Sequence, residues 1–218
     1  REFADVLSEA QAKGYAEADP TFDVEGIDAS HKLAILASIA FAMPLSLDGL
    51  FTDGITQLEP QDVAYARELG YVIKHLGIAR QSDAGVELRV HPTLVPQRSL
   101  IAGVNDVANA IMVNADAVGT TLFYGPGAGA EPTASAVIAD IVDVARVMDS
   151  YPDSWVPGLG CNSSAIQPRT IMDIEDVETG FYIRFSALDK PGVLSDVTKI
   201  MGDAGISIEA IIQREQPA

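Results

Sequence analysis

The sequence predicts an α+β protein, in which helices and paired strands alternate along the 218 residues of the chain. Residues 33–43, LAILASIAFAM, are apolar on every side, which predicts that the helix from Asp28 to Met43 is buried and ends at Pro44. Two segments rich in β-forming residues, 71–79 and 86–92, flank the turn QSDAG and predict a hairpin. A strand–helix–strand pattern closes the chain.

Further elements follow from local signals taken in chain order. The spacing of apolar residues predicts a helix over residues 3–11 that stops at Gly14. Glu59-Pro60 begins a short amphipathic helix that Gly70 ends. Residues 109–125 predict two more strands with a bend at residues 114–116. Pro132 begins a long helix that runs to about residue 149.

Residues 150–179 differ in composition from the segments on either side. They are rich in proline, glycine and serine and show no periodicity, which indicates a linker or extension. Residues 181–187 then alternate as a strand, Pro191 begins a helix, and residues 206–213 predict a second strand. Since two strands and one helix make a poor independent sheet, we expect Ile206, Ile208 and Ile211 to pack on the preceding domain or on a partner chain.

The net charge, the length of the apolar stretches and the cysteine count exclude several classes of partner. The formal charge is −17, from 31 acidic and 14 basic residues, and such an excess repels both nucleic acid and anionic membrane surfaces. The longest apolar stretch, residues 33–45, is shorter than the roughly 20 residues that a membrane span needs. Cys161 is the only cysteine, so no disulfide forms within the chain and a cytoplasmic location is expected.

An acidic run precedes the buried helix. A solvated loop is the default interpretation of such a run. A calcium loop fits poorly, because aligning Gly26 with the turn glycine of an EF-hand puts Lys32 where a bidentate Glu is required, and we expect no metal site. Carboxylates at this spacing can instead hold an ammonium-bearing substrate, and spacing alone does not decide between this and the solvated loop. The acidic residues are Glu17, Asp19, Asp23, Glu25 and Asp28.

Lys32 lies four residues after Asp28, so on a helix the two share one face. Such a pair is commonly an exposed ion pair with no role beyond a small contribution to helix stability. At the entrance to an apolar helix, however, a lysine can also exchange a proton with a bound substrate.

The glycine-rich loop at residues 125–133, GPGAGAEPT, lies between a predicted strand and a predicted helix. Its glycines fall at two-residue spacing and Pro132 occupies the position of the last one, so the dinucleotide-binding pattern fails. Either the loop lets a ligand approach the backbone closely at a helix N-terminus, or it is simply a tight turn.

With these residues in hand, the chain resembles the homoserine dehydrogenase family. Residues 14–32, GYAEADPTFDVEGIDASHK, match that family's substrate-site signature, G-[YF]-x-E-x-D-P-x-x-D-x-x-G-x-D-x-x-x-K. The glycine loop resembles the family's later glycine loop. Residues 181–215 resemble the first half of an ACT domain, an amino-acid-sensing module, whose D-K-P-G-V-L turn is here residues 189–194.

The resemblance implies the NADP- or NAD-dependent interconversion of L-aspartate 4-semialdehyde and L-homoserine, a step in threonine, methionine and isoleucine biosynthesis. It implies that Lys32 is the catalytic proton donor and that Glu17, Asp23 and Asp28 bind the amino-acid substrate. Gly14 and Gly129 would approach the nicotinamide end of the cofactor. The implied fold is a mixed sheet with helices on one face, similar to the C-terminal domain of glyceraldehyde-phosphate dehydrogenases, and it pairs subunits into a homodimer or a higher homo-oligomer.

The resemblance divides the chain into a catalytic and dimerisation domain at residues 1–149, a linker at 150–179 and a partial ACT domain at 180–218. The ACT part would bind an amino-acid effector. No part resembles the family's N-terminal Rossmann domain, which holds most of the cofactor, so we expect a fragment that is inactive alone. Two alternatives stay open: a non-catalytic amino-acid-sensing ACT regulator, and a related dehydrogenase that acts on another aldehyde.

Overall fold

The computed structural model describes residues 3–12, 16–148, 157 and 160–214. Their helices and strands confirm the predicted α+β class. The helices of this part of the chain are α1 (Phe3–Ala12), α2 (Thr21–Val24), α3 (Ile27–Phe41), α4 (Pro60–Glu68), α5 (Ala130–Met148) and α6 (Val193–Asp203). The strands are β1 (Phe51–Thr52), β2 (Tyr71–Ser82), β3 (Gly85–Pro96), β4 (Ala108–Ala115) and β5 (Gly119–Pro126).

A three-stranded mixed sheet with the order β1-β3-β2 forms the centre. The predicted hairpin is confirmed: β2 and β3 pair antiparallel over their full lengths, from Tyr71 opposite Pro96 to Ser82 opposite Gly85. β1 pairs parallel with β3, with Phe51 opposite Arg89. Helices α3 and α4 both contact β2. The sheet therefore has the mixed character that the family resemblance implies.

Helix α3 lies on this sheet and forms the core with it. Ala37 and Met43 cluster with Val86 and Leu88 of β3, all four almost fully buried. The helix ends where Ala42 adopts a left-handed φ of 48°, two residues before Pro44. The predicted helix is thus confirmed within about two residues at each end.

The prediction that α3 is buried on every side is wrong. Its buried residues follow helical spacing and define one face. On the other face Ile35, Leu36 and Ile39 remain 48%, 38% and 47% exposed. The sheet can cover only one side of a helix, and no other described element covers the second side. The buried face consists of Ser30, Leu33, Ala34, Ala37 and Ser38.

Strand β3 also buries charge. Glu87 is only 1% exposed and forms an ion pair with Arg80 of β2, which lies opposite it in the ladder. The Arg89 Nε lies 3.5 Å from the second carboxylate oxygen of Glu87. A buried carboxylate is tolerated only when it is paired in this way.

Part of the expected linker belongs to the edge of this sheet. The Val86 N–H donates to the Thr170 carbonyl at 2.9 Å, and the Met172 N–H donates to the Val86 carbonyl at 3.0 Å. Ile171 therefore forms a parallel bridge with Val86 and packs against the core. Composition did not indicate this contact, because a single bridge needs no periodic pattern.

Strands β4 and β5 form a separate hairpin, whose turn falls at residues 116–118 rather than at the predicted 114–116. Helix α5 follows it and buries none of its residues. Val137, Ile141 and Val144 on its apolar face are each more than half exposed. No helix in the described part of the chain is long and apolar enough to cross a membrane.

The last part of the chain contains the predicted helix as α6, but the two predicted strands are absent from the described residues 181–187 and 206–213. In a split β-α-β unit the strands on either side of the helix are separated by a third strand, so they cannot pair with each other. Ile206, Ile208 and Ile211 are 54%, 39% and 49% exposed, so the preceding domain does not cover them. The other half of the prediction, packing on a partner chain, stays a prediction.

Candidate functional site

The acidic run folds into a compact turn rather than an extended loop. Asp19 accepts hydrogen bonds from the Thr21 hydroxyl at 2.6 Å and from the Thr21 N–H at 3.1 Å, and these bonds lower the pKa of the Asp19 carboxyl. Helix α2 begins at Thr21, and Gly26, with a φ of 78°, turns the chain directly into α3. The short helix α2 was not predicted, because four residues give too little periodicity to detect.

Asp28 and Lys32 come together on the first two turns of α3. The Lys32 Nζ lies 2.5 Å from Asp28 Oδ2, and the two side chains are 68% and 40% exposed. The structure therefore confirms that the two residues share one face of the helix. An exposed pair of this kind adds little stability. Its exposure also leaves both groups accessible to a ligand.

The other predicted substrate-binding residues, Glu17 and Asp23, precede this pair in the same acidic run. Glu17 and Asp23 have exposed carboxylates. Among the described residues, no hydrogen bond or ion pair joins either carboxylate to Lys32. Gly14, predicted near the cofactor, lies outside the described residues.

The turn rests on the sheet through contacts that sequence analysis missed. A Cβ atom at Gly26 would lie 2.8 Å from Cε1 of the His75 ring and 3.2 Å from Val90 Cγ1. A ring nitrogen of His75, Nε2, is 2.9 Å from the Asp53 carbonyl oxygen. His75 thus joins β2, the segment after β1 and the start of α3. Only the order of the strands brings these three segments together, so no local signal identifies His75.

A second support lies beside it. The Ile55 N–H donates to the Val24 carbonyl at 2.8 Å, and the Thr56 hydroxyl donates to Glu25 Oε1 at 3.2 Å. A Cβ atom at Gly54 would lie 2.5 Å from the Val24 carbonyl oxygen. Glu25 is therefore held by the scaffold, Asp19 is bonded by Thr21 and Asp28 is paired with Lys32. Within the described residues, this leaves the carboxylates of Glu17 and Asp23 without a side-chain hydrogen bond or ion pair.

His31, adjacent to Lys32, packs against Phe22 of α2. The two rings are edge-on, with centroids 5.4 Å apart and an interplanar angle of 89°. This contact gives His31 a structural role. In the described part of the chain, no group of three His, Cys, Asp or Glu side chains could hold a metal ion.

The glycine-rich loop ends at Gly129, which has a φ of 117° and lies immediately before α5. A Cβ atom there would meet only Pro132, at 3.5 Å, so the backbone is open on its outer side. The N-terminus of a helix with exposed N–H groups favours a negatively charged ligand, although Glu131 in the first turn opposes it. The loop therefore leaves its backbone open to close approach by a ligand.

Comparison with known proteins agrees with the fold and the signature. The family model described as homoserine dehydrogenase matches residues 1–142, and the ACT domain model matches residues 181–218. A homoserine dehydrogenase of Pseudomonas aeruginosa is 60% identical over 215 residues, which cover 99% of this chain and 50% of that protein. One from Neisseria gonorrhoeae is 50% identical, covering 97% of this chain and 49% of that protein.

A solved structure of a homoserine dehydrogenase is also similar to this chain. The homoserine dehydrogenase of Thiobacillus denitrificans matches with a TM-score of 0.88 and 52% identity, over 97% of this chain and 49% of that one. The chain belongs to the homoserine dehydrogenase family. It spans about half the length of the curated relatives that it matches.

Proposed function

We propose that the protein to which this chain belongs interconverts L-aspartate 4-semialdehyde and L-homoserine with NADP or NAD, and that this chain supplies the substrate site. The observation that carries the proposal is the accessible Asp28–Lys32 pair at the start of α3, within a chain of this family. Homoserine carries an ammonium group, which suits the free carboxylates, and an oxygen on C4, which suits the lysine.

Lys32 is proposed as the acid–base group. In the direction of reduction, the Lys32 ammonium gives a proton to the carbonyl oxygen while C4 accepts a hydride, so an alcohol forms and the lysine is left neutral. In the reverse direction, the neutral amine removes the hydroxyl proton. The bound nicotinamide cofactor supplies or accepts the hydride. Asp28, in contact with Lys32 Nζ, directs the lysine side chain.

Glu17, Asp23 and Asp28 are proposed to hold the substrate ammonium by charge-assisted hydrogen bonds. All three lie on the same turn and have exposed or half-exposed carboxylates. Gly129 is proposed to let the nicotinamide end of the cofactor approach the backbone, and Gly14 is assigned the same role by family resemblance. The proposal covers both NADP and NAD.

The domain division belongs to the proposal as well: residues 1–149 as the catalytic and dimerisation domain, 150–179 as the connection and 180–218 as part of an ACT domain that binds an amino-acid effector. A homodimer or a higher homo-oligomer is proposed on the same family basis. The exposed apolar residues on the outer face of α3 favour self-association. A cytoplasmic location is proposed from the single cysteine.

The test is hydride transfer by the full-length protein with Lys32→Ala. Loss of the acid–base group is expected to lower kcat by about 10²- to 10⁴-fold. Lys199→Ala is a matched control, because Lys199 is as exposed as Lys32 and also pairs with an aspartate four residues away, Asp203, at 2.8 Å in α6. The control is expected to retain full kcat.

The outcomes separate the proposal from its alternatives. If the protein is instead a non-catalytic ACT sensor, the unsubstituted full-length protein shows no hydride transfer. If the protein is a dehydrogenase specific for another aldehyde, Lys32→Ala also lowers its activity. In that case the unsubstituted protein turns over the other aldehyde faster than aspartate semialdehyde. Unchanged kcat in Lys32→Ala would overturn the assignment of the lysine.

A further inference from the structure

A second charged cluster, formed by residues outside the candidate site, lies at the N-terminus of α4. Asp62 is only 6% exposed, and its carboxylate receives donors from a segment 120 residues further along the chain. The Tyr182 hydroxyl donates to Asp62 Oδ1 at 2.9 Å, and Arg184 Nε donates to the same oxygen at 2.6 Å. Arg184 Nη2 lies 3.4 Å from Asp62 Oδ2 and 2.8 Å from Glu59 Oε2.

The position of Asp62 in the first turn of α4 orients its carboxylate toward these donors. Glu59 and Asp62 form a capping box, in which the Glu59 N–H donates to Asp62 Oδ2 at 2.9 Å. Because this bond lies within residues 59–62, it fixes the Asp62 side chain independently of the contact with residues 182–184. The first turn of a helix also favours negative charge. The end of α4 therefore presents two oriented carboxylates to a single guanidinium.

The charges of the cluster are stable near neutral pH. Burial alone would raise the pKa of the Asp62 carboxyl, but hydrogen bonds from Arg184, the Glu59 N–H and Tyr182 outweigh it and hold the pKa below its ordinary value. Burial and the hydrogen bond to Asp62 raise the pKa of Tyr182 to about 12. Asp62 thus remains an acceptor and Tyr182 a donor.

The apolar side chains of the same segment do not take part in this contact. Phe181, Ile183 and Phe185 alternate with Tyr182 and Arg184 and are 79%, 59% and 54% exposed. The segment therefore meets α4 with its polar side chains and points its apolar side chains away. A second ion pair, Arg214 to Glu68 at the other end of α4, is 2.6 Å long. A polar interface of this kind can open without exposing an apolar core.

We propose that Glu59 and Asp62 form a docking site for Tyr182 and Arg184, a polar latch that fixes the ACT segment to α4 and can open and close reversibly. The partner is a segment of the same chain, and the chemistry that recognises it is a bidentate guanidinium beside a phenol. The latch is independent of the dehydrogenase reaction, because none of its four residues belongs to the proposed substrate site.

The test is a distance measurement by pulsed electron paramagnetic resonance on the full-length protein. Spin labels are placed on cysteines substituted for Ala64 in α4 and Ser195 in α6, both exposed, in a background with Cys161 and any other cysteine replaced. With the latch intact, one narrow distribution of distances is expected. Arg184→Gln leaves the capping box in place but removes the guanidinium, and it is expected to abolish the narrow peak.

Further variants make the result specific. Asp62→Asn is expected to broaden the distribution as Arg184→Gln does, and the double variant no further, since each breaks the ion pair between Arg184 and Asp62. Tyr182→Phe removes one donor and is expected to have a smaller effect. Lys199→Gln, which breaks an exposed pair within α6, is expected to leave the narrow peak unchanged. A narrow peak retained in Arg184→Gln, or a double variant broader than both single ones, would overturn the proposal.

Discussion

The two longest helices of the described structure, α3 and α5, both carry apolar side chains but differ in what lies beneath them. Helix α3 packs on the three-stranded sheet and buries five residues, whereas α5 buries none. The turn before α3 is held by His75, Thr56 and Ile55, whereas Gly129 before α5 faces open space apart from Pro132. The turn before α3 is thus preformed by its own scaffold, whereas the glycine loop before α5 has no such support within the described residues.

The largest difference is expected from matched truncations in the two regions. Leu88, 3% exposed beneath α3, and Ile141, 57% exposed on α5, are both large aliphatic residues. Leu88→Ala is expected to lower the free energy of unfolding of this chain by about 2–5 kcal/mol, because it leaves a cavity in the core. Ile141→Ala is expected to change it by less than about 0.5 kcal/mol. Urea unfolding of the two variants measures both values, and equal losses would break the comparison.

Sequence analysis predicted the elements whose signals are local. The hairpin of β2 and β3 has a clear turn, and α3, α4, α5 and α6 have apolar spacing or a proline at the start. The two-residue strand β1 and the bridge at Ile171 were missed, because each depends on a partner far away in sequence. Burial was overestimated for the outer face of α3, since hydrophobicity alone does not say whether anything covers a face.

The candidate site was predictable to a similar extent. The pair Asp28 and Lys32 followed from helical spacing, and the signature assigned roles to Glu17 and Asp23. The support from His75 and the contact between Asp62 and Arg184 did not follow, because the residues are 22 and 122 positions from their partners. The motif E-P-Q-D at residues 59–62 indicated only a helix start, although the same two carboxylates bind Arg184.

A smaller effect is expected at the two glycines that precede the helices. Both Gly26 and Gly129 have left-handed φ angles, so alanine at either position costs about 1–3 kcal/mol in backbone strain. Gly26→Ala adds a clash with His75, whereas Gly129→Ala meets only the edge of Pro132. Gly26→Ala is therefore expected to destabilise the chain more, as measured by urea unfolding, and equal costs would show that His75 does not brace the turn.

If the turn before α3 is the amino-acid half of the active site, homoserine binds against it. A crystal structure of the full-length protein with homoserine and oxidised cofactor tests this directly. We expect the substrate ammonium within hydrogen-bond distance of at least one of the carboxylates of Glu17, Asp23 and Asp28, and Lys32 Nζ about 3 Å from the C4 oxygen. Homoserine bound elsewhere, or with its C4 oxygen out of reach of Lys32, would contradict the account.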